Sequence, residues 1–167
     1  MNGSATFTGL TALADMLAGL DWPTLAESSG VGVWIGDPDD GDHAGAGMTE
    51  SVVVVSQPES PEQDWATIGT FARKEQFAAV VVVTSLIPGR TCREVICRLQ
   101  ELTLVVESAI REAAPLLANP LSGGPVADMA AAGLWAIGLN SPAWSVQPTQ
   151  EGYGGRAVIR VGFKARV

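Results

Sequence analysis

The residue types best suited to chemistry gather in one short stretch. Residues 36–49 hold Asp37, Asp39, Asp40 and Asp42, the only histidine, His43, and several glycines. Hard oxygen donors on a glycine-rich loop suggest calcium, but the EF-hand pattern needs glycine at its sixth position and glutamate at its twelfth. Counting from Asp37 puts Gly41 fifth and Met48 twelfth. The segment therefore reads as a mobile, solvated acidic loop, with His43 as a bystander.

Other chemistries fare no better. Nucleophilic catalysis needs a base that titrates near neutrality beside the nucleophile, and the one imidazole sits in this acidic loop. Zinc needs clustered Cys and His. Cys92 and Cys97 lie five apart on a predicted helix, roughly 140° apart around its axis, so they cannot bridge each other. They read as free thiols, as in a reducing cytoplasm. Ser-Gly-Gly at 122–124 and Gly-Tyr-Gly-Gly at 152–155 lack the Lys-Ser/Thr that follows a phosphate loop, and read as turns. No carboxylate pair stands out from a solvated surface. The five tryptophans, at 22, 34, 65, 135 and 144, suit core or interface anchors better than base-stacking platforms. An enzyme is not expected, nor a cofactor or metal; a small metal-binding domain using the acidic loop is the chemical alternative.

Composition sets the frame for these residues. A chain of 167 residues with 47% apolar and 17% charged side chains predicts one folded domain spanning 1–167. A net charge of −8 opposes tight non-specific binding to nucleic acid or to an anionic membrane. The charge is unevenly placed. Residues 1–72 contain no Lys or Arg and eleven carboxylates, whereas the remainder carries ten basic and seven acidic residues. Two differently solvated faces of one monomer would account for this, and so would head-to-tail assembly of acidic on basic surfaces. No basic leader, and no apolar run of the length that spans a bilayer, is evident, so neither standard secretion nor membrane insertion is expected.

The organising elements are a strand and the helix after it. Phe-Ala-Ala-Val-Val-Val-Val at 77–83 has no charge and β-branched residues at odd and even positions, which predicts a central strand covered on both faces. Thr91 and Glu94 then form a capping box opening a helix of about seven turns. Its apolar stripe comprises Val95, Ile96, Leu99, Leu102, Val106, Ile110, Ala113 and Leu117, with Arg98 and the other charged residues assigned to the wet face. A first amphipathic helix is predicted over 5–20 and strands over 31–35 and 51–57, the latter ended by a turn at 58–61. A third strand over 65–72 would join the central one through an Arg73-Lys74-Glu75 hairpin turn. After a break at 119–125, residues 129–139 read as a strand, and 143–149 as another. A turn at 151–155 leads to a last alternating strand with a wet, basic face that closes the sheet. The expected class is α+β: a mixed, mostly antiparallel sheet with an N-terminal helix and one long helix packed against it.

This order of elements resembles the tail terminator, or tail completion, proteins of long-tailed bacteriophages. The resemblance runs from about residue 5 to the end. It is carried by Ala-Asp-Met-Leu closing the first helix, Glu-Gln-Phe-Ala-Ala-Val-Val-Val-Val, Leu-Gln-Glu-Leu-Thr-Leu-Val-Val-Glu-Ser-Ala-Ile-Arg and the final Gly-Tyr-Gly-Gly-Arg-Ala-Val-Ile-Arg-Val-Gly-Phe-Lys-Ala-Arg-Val. The acidic loop and the break at 119–125 are less typical of that family. The resemblance implies a structural virion protein, assembled in the host cytoplasm into a hexameric ring on the last ring of tail tube protein. Such a ring stops tube growth and offers a surface to the head-tail connector, while genomic DNA passes through its lumen without sequence-specific contact. A connector or a tube-like subunit of similar build is the alternative within the same class. With the charge split, this reading makes Arg156, Arg160, Lys164 and Arg166 the basic side of a subunit or partner interface. Asp37, Asp39, Asp40 and Asp42 would form its acidic side.

Overall fold

The computed structural model describes residues 5–38, 48–56, 59–65, 73–118 and 123–166, excluding the side chains of 59–65 and 73. The chain runs α1 (Ala5–Ala18), β1 (Val31–Gly36), β2 (Glu50–Val55), β3 (Glu59–Trp65), β4 (Arg73–Ser85), α2 (Cys92–Ala118), α3 (Pro125–Ala131), β5 (Leu134–Leu139), β6 (Ala143–Thr149) and β7 (Gly152–Arg166). All seven strands join one sheet, antiparallel except for the β1–β2 pair. The class is α+β, as expected.

Two long strands form the spine. β4 and β7 pair in continuous register from Lys74 opposite Arg166 to Ser85 opposite Gly155. Shorter strands share their outer edges: β3 and β2 divide the far side of β4, and β5 and β6 divide the far side of β7. The last strand was expected to close the sheet, yet it lies inside it. Its clean alternation supplies a buried face, Ala157, Ile159, Val161, Phe163 and Ala165, that packs under the helices as well as any central strand would.

Both main helices lie on that face. From α2, Val95, Leu99, Leu102, Val106, Ile110, Ala113 and Leu117 are buried, joined by Leu10, Leu13 and Leu17 of α1 and by Val81 and Val83 of β4. Near the Lys74–Arg166 end of the spine Phe77 and Phe163, opposite each other in register, stack with ring centroids 4.9 Å apart. The capping box forms as the sequence predicts. Thr91 donates its amide to Glu94 Oε2 at 2.7 Å, and the Glu94 amide donates to Thr91 Oγ1 at 3.3 Å. Hydrogen bonding from the Thr91 amide, and then from its side chain, holds the Glu94 carboxyl below its ordinary pKa. At the other helix, the Glu75 carboxylate accepts the Ala5 amide at 3.2 Å, placing negative charge on the N-terminus of α1. Trp22 Nε1 caps its far end by donating to the Leu17 carbonyl.

Several boundaries differ from expectation. Residues 73–75 form no turn; they extend β4 and pair with Trp65, Asp64 and Gln63 of β3. The third strand lies earlier than predicted, at Glu59–Trp65, while residues 66–72 fall outside the described ones. Pro61 enters this strand, not a turn. β3 pairs only with β4, and its register shifts between Glu59 and Glu62, where a proline without an amide donor is tolerated. The segment 129–139 is not one strand. Its alanine-rich part completes α3, which opens on Pro125 as a first helical residue, and Gly133 then breaks the helix before β5. There are thus three helices among the described residues, not two. The turn at 151–155 contracts to Gln150–Glu151, because Gly155 already belongs to β7 and any Cβ there would press on Leu99 and Val95 of α2.

Gly133 combines a positive φ of 89° with an approach to the Arg166 carbonyl that leaves no room for a side chain. Its carbonyl also accepts the Arg166 amide at 2.9 Å. Gly133→Ala is expected to lower stability by at least about 2 kcal/mol in a denaturant titration, through strain and clash together. A loss below about 0.5 kcal/mol would contradict this packing.

Candidate interaction faces

β7 alternates strictly. Its odd residues from Ala157 to Ala165 are buried, and Arg160, Lys164 and Arg166 are exposed on the opposite face, with Arg156 half-buried near the start. Across the ladder Lys164 stands opposite Gln76 and Ala136, and Arg160 opposite Val80. Arg166 faces Lys74, a like-charge pair that is unfavourable unless an anion offsets it. In the β3–β4 register the partner position of Lys74 is residue 64. Lys164 Nζ lies 5.7 Å from the centroid of the Trp135 ring, a cation–π pair on the open face.

The structure therefore brings the four predicted basic residues onto one side of one strand. It treats the acidic set differently. Asp37 is exposed just beyond β1, three ladder steps from β7 and so about 14 Å away. Asp39, Asp40, Asp42 and His43 lie outside the described residues. No group of three metal-ligating side chains occurs among the described residues. Both cysteines are free and exposed. No helix is long and apolar enough to cross a membrane, among the described residues.

The exposed acids that the structure does describe sit mainly on the helix side: Asp15 of α1, Asp21 beyond it, Glu94, Glu101 and Glu112 of α2, and Asp128 of α3. Arg93 and Arg111 interrupt them, and Arg111 is paired with Glu107 at 3.4 Å. The sheet thus separates a helix layer with mostly acidic exposed charge from a face that is buried at Val53 and Val82 and open along the basic strand β7. Two tryptophans expected as core or interface anchors, Trp135 and Trp144, are half or more exposed, while Trp22 and Trp34 are half-buried.

One charged group was missed. Arg98, assigned to the wet face of α2, is 5% exposed and reaches into the protein to Glu50, which is fully buried. Arg98 Nε donates to Glu50 Oε1 at 2.6 Å and Nη2 to Oε2 at 2.9 Å, while Nη1 donates to Glu101 at 2.6 Å. Nη2 also donates to the Pro23 carbonyl. Ser28 Oγ and Ser85 Oγ complete the shell around Glu50 at 2.8 and 3.4 Å. The signal was present in the spacing: Arg98 sits three residues after Val95 and four before Leu102, on the apolar stripe itself. Burial alone would push the Glu50 carboxyl up, but hydrogen bonds from Arg98, Ser28 and Ser85 and the guanidinium charge together hold it below its ordinary value. The same bond to Glu50 raises Arg98, against the opposing effect of burial.

No family model matches the chain, and no curated protein matches its sequence.

Breaking this pair leaves a buried charge alone. Arg98→Met should cost about 3–5 kcal/mol of stability, and the double variant Arg98→Met, Glu50→Leu should recover most of that loss. Because the folded Glu50 value lies below the unfolded one, its contribution is complete above the ordinary carboxylate range. It fades as pH falls through the lower folded value. Urea titrations at several pH values should therefore show a steeper acid decline for wild type than for Glu50→Gln. Equal slopes would mean that Glu50 is not held ionised by its partners.

Proposed function

We propose that this chain is a structural virion protein of the tail terminator type. It forms a ring that stops tail tube growth and presents a surface to the head-tail connector. The observation that carries the reading is the segregation of exposed charge across the sheet, with a basic strand on the open face and mostly acidic helices on the other. Such a subunit suits head-to-tail closure, in which one face of each copy meets the opposite face of the next. The order of elements that underlies the resemblance supports the same reading: an N-terminal helix, a β3–β4 hairpin, a long helix, tryptophan-bearing strands and a terminal basic strand. In this reading the ring is hexameric, its neighbours are the tube protein and the connector, and DNA traverses the lumen without base-specific contacts. Nothing in the proposal requires a cofactor or catalysis.

Light scattering on the purified protein, across concentration and salt, tests it. A closed oligomer near six subunits is expected, loosening as salt screens the opposed charges. A strict monomer, both alone and mixed with tube protein, would contradict the proposal.

A further inference from the structure

The sheet face away from the helices and the helix layer each carry a local feature that stays exposed among the described residues. On the open face, Trp135 of β5 is 48% exposed and lies under the ammonium of Lys164. A bulge in the β5–β7 register between Leu134 and Ala136 sets this indole apart from the ladder. The result is a cationic aromatic knob, the type of side-chain group that anchors protein interfaces. On the other side of the sheet, the residues just after α1 and the middle of α2 line a shallow, open hollow of about 300 Å³. Leu20, Val105 and Leu104, the last 51% exposed, line it together with Asp21 and Glu112. Among the described residues, no basic side chain lines it.

We infer that the Lys164–Trp135 knob of one copy docks into the Leu20–Asp21–Leu104–Glu112 hollow of a second copy of this chain. The indole covers the leucines, and the ammonium meets the two carboxylates. Charge complementarity selects the occupant: the two carboxylates favour a cation, and the apolar lining favours one carried on an aromatic ring. A second copy fits because the same chain bears both halves. They lie on opposite sides of one sheet, so a single subunit cannot satisfy both and the contact is heterologous. It must close into a ring or continue as a filament. The inference rests on the ring reading above and names its subunit contact. It moves the acidic side of that contact from the loop around Asp37 to the helix layer.

Two surface variants test it. Lys164→Glu spoils the knob and keeps the hollow; Asp21→Lys combined with Glu112→Lys does the reverse. Each alone should fall to monomers in light scattering, with association weakened about 100-fold or more. Mixed in equal amounts, they should associate again, because the intact knob of one meets the intact hollow of the other and the reversed charges at the second contact are complementary. Lys164→Arg, which keeps the charge over the ring, should assemble like wild type. Should either reversal lower the melting temperature, Trp135→Ala and Leu104→Asp carry the same test from the apolar side. A Lys164→Glu protein that still assembles as wild type would overturn the inference while leaving the ring reading intact, as would two monomeric variants that ignore each other when mixed. A wild type that caps tubes yet never self-associates would overturn the inference alone.

Discussion

The long antiparallel pairing of β4 with β7 is the constraint on which the other elements depend. It joins the middle of the chain to its end in one unbroken register, and every other strand attaches, directly or through β2, to one of these two. The pairing sets Phe77 against Phe163 under the helices and brings Lys74 and Arg166 together on the open side. A single-residue slip of β7 would turn its faces over, placing its basic residues under α1 and α2 and Phe163 in water. The register that builds the core therefore also builds the basic face.

The second constraint is the way α2 is fastened. Apolar burial alone would let a long helix shift along the sheet at modest cost, since such contacts are non-directional. The Arg98–Glu50 pair fixes its position, because a guanidinium that is 5% exposed must meet its carboxylate and the Pro23 carbonyl in one geometry. A buried pair of this kind contributes little net stability once desolvation is counted. Its value here is positional: it ties β2, α2 and the segment after α1 to one another, and so fixes where the acidic helix layer sits relative to the basic strand.

Much of this was legible in the residues. The valine-rich strands, the capping box, the apolar stripe of α2 and the alternation of β7 each follow a local period, and local periods are what a sequence displays directly. Features that depend on partners distant in the chain were harder to read. The alternation of β7 does not say whether one or two strands flank it, so its place inside the sheet was missed. Charge alone assigns Arg98 to the wet face, although its spacing places it on the buried stripe; its partner lies 48 residues away. Residues 129–139 look like one period, and Gly133 divides them into two. For the candidate faces, the basic side could be read from β7 alone. The acidic side could not, because carboxylates scattered over α1, α2 and α3 become a surface only after packing.

The central claim is that this chain ends a tube. The most direct measurement is the length distribution of purified tail tubes by electron microscopy, with polymerising tube protein grown in the presence or absence of this chain. Shorter tubes that bear a ring of added density at one end, and that no longer elongate when fresh tube protein is supplied, are the predicted result. Tubes of unchanged length with bare ends would contradict the account.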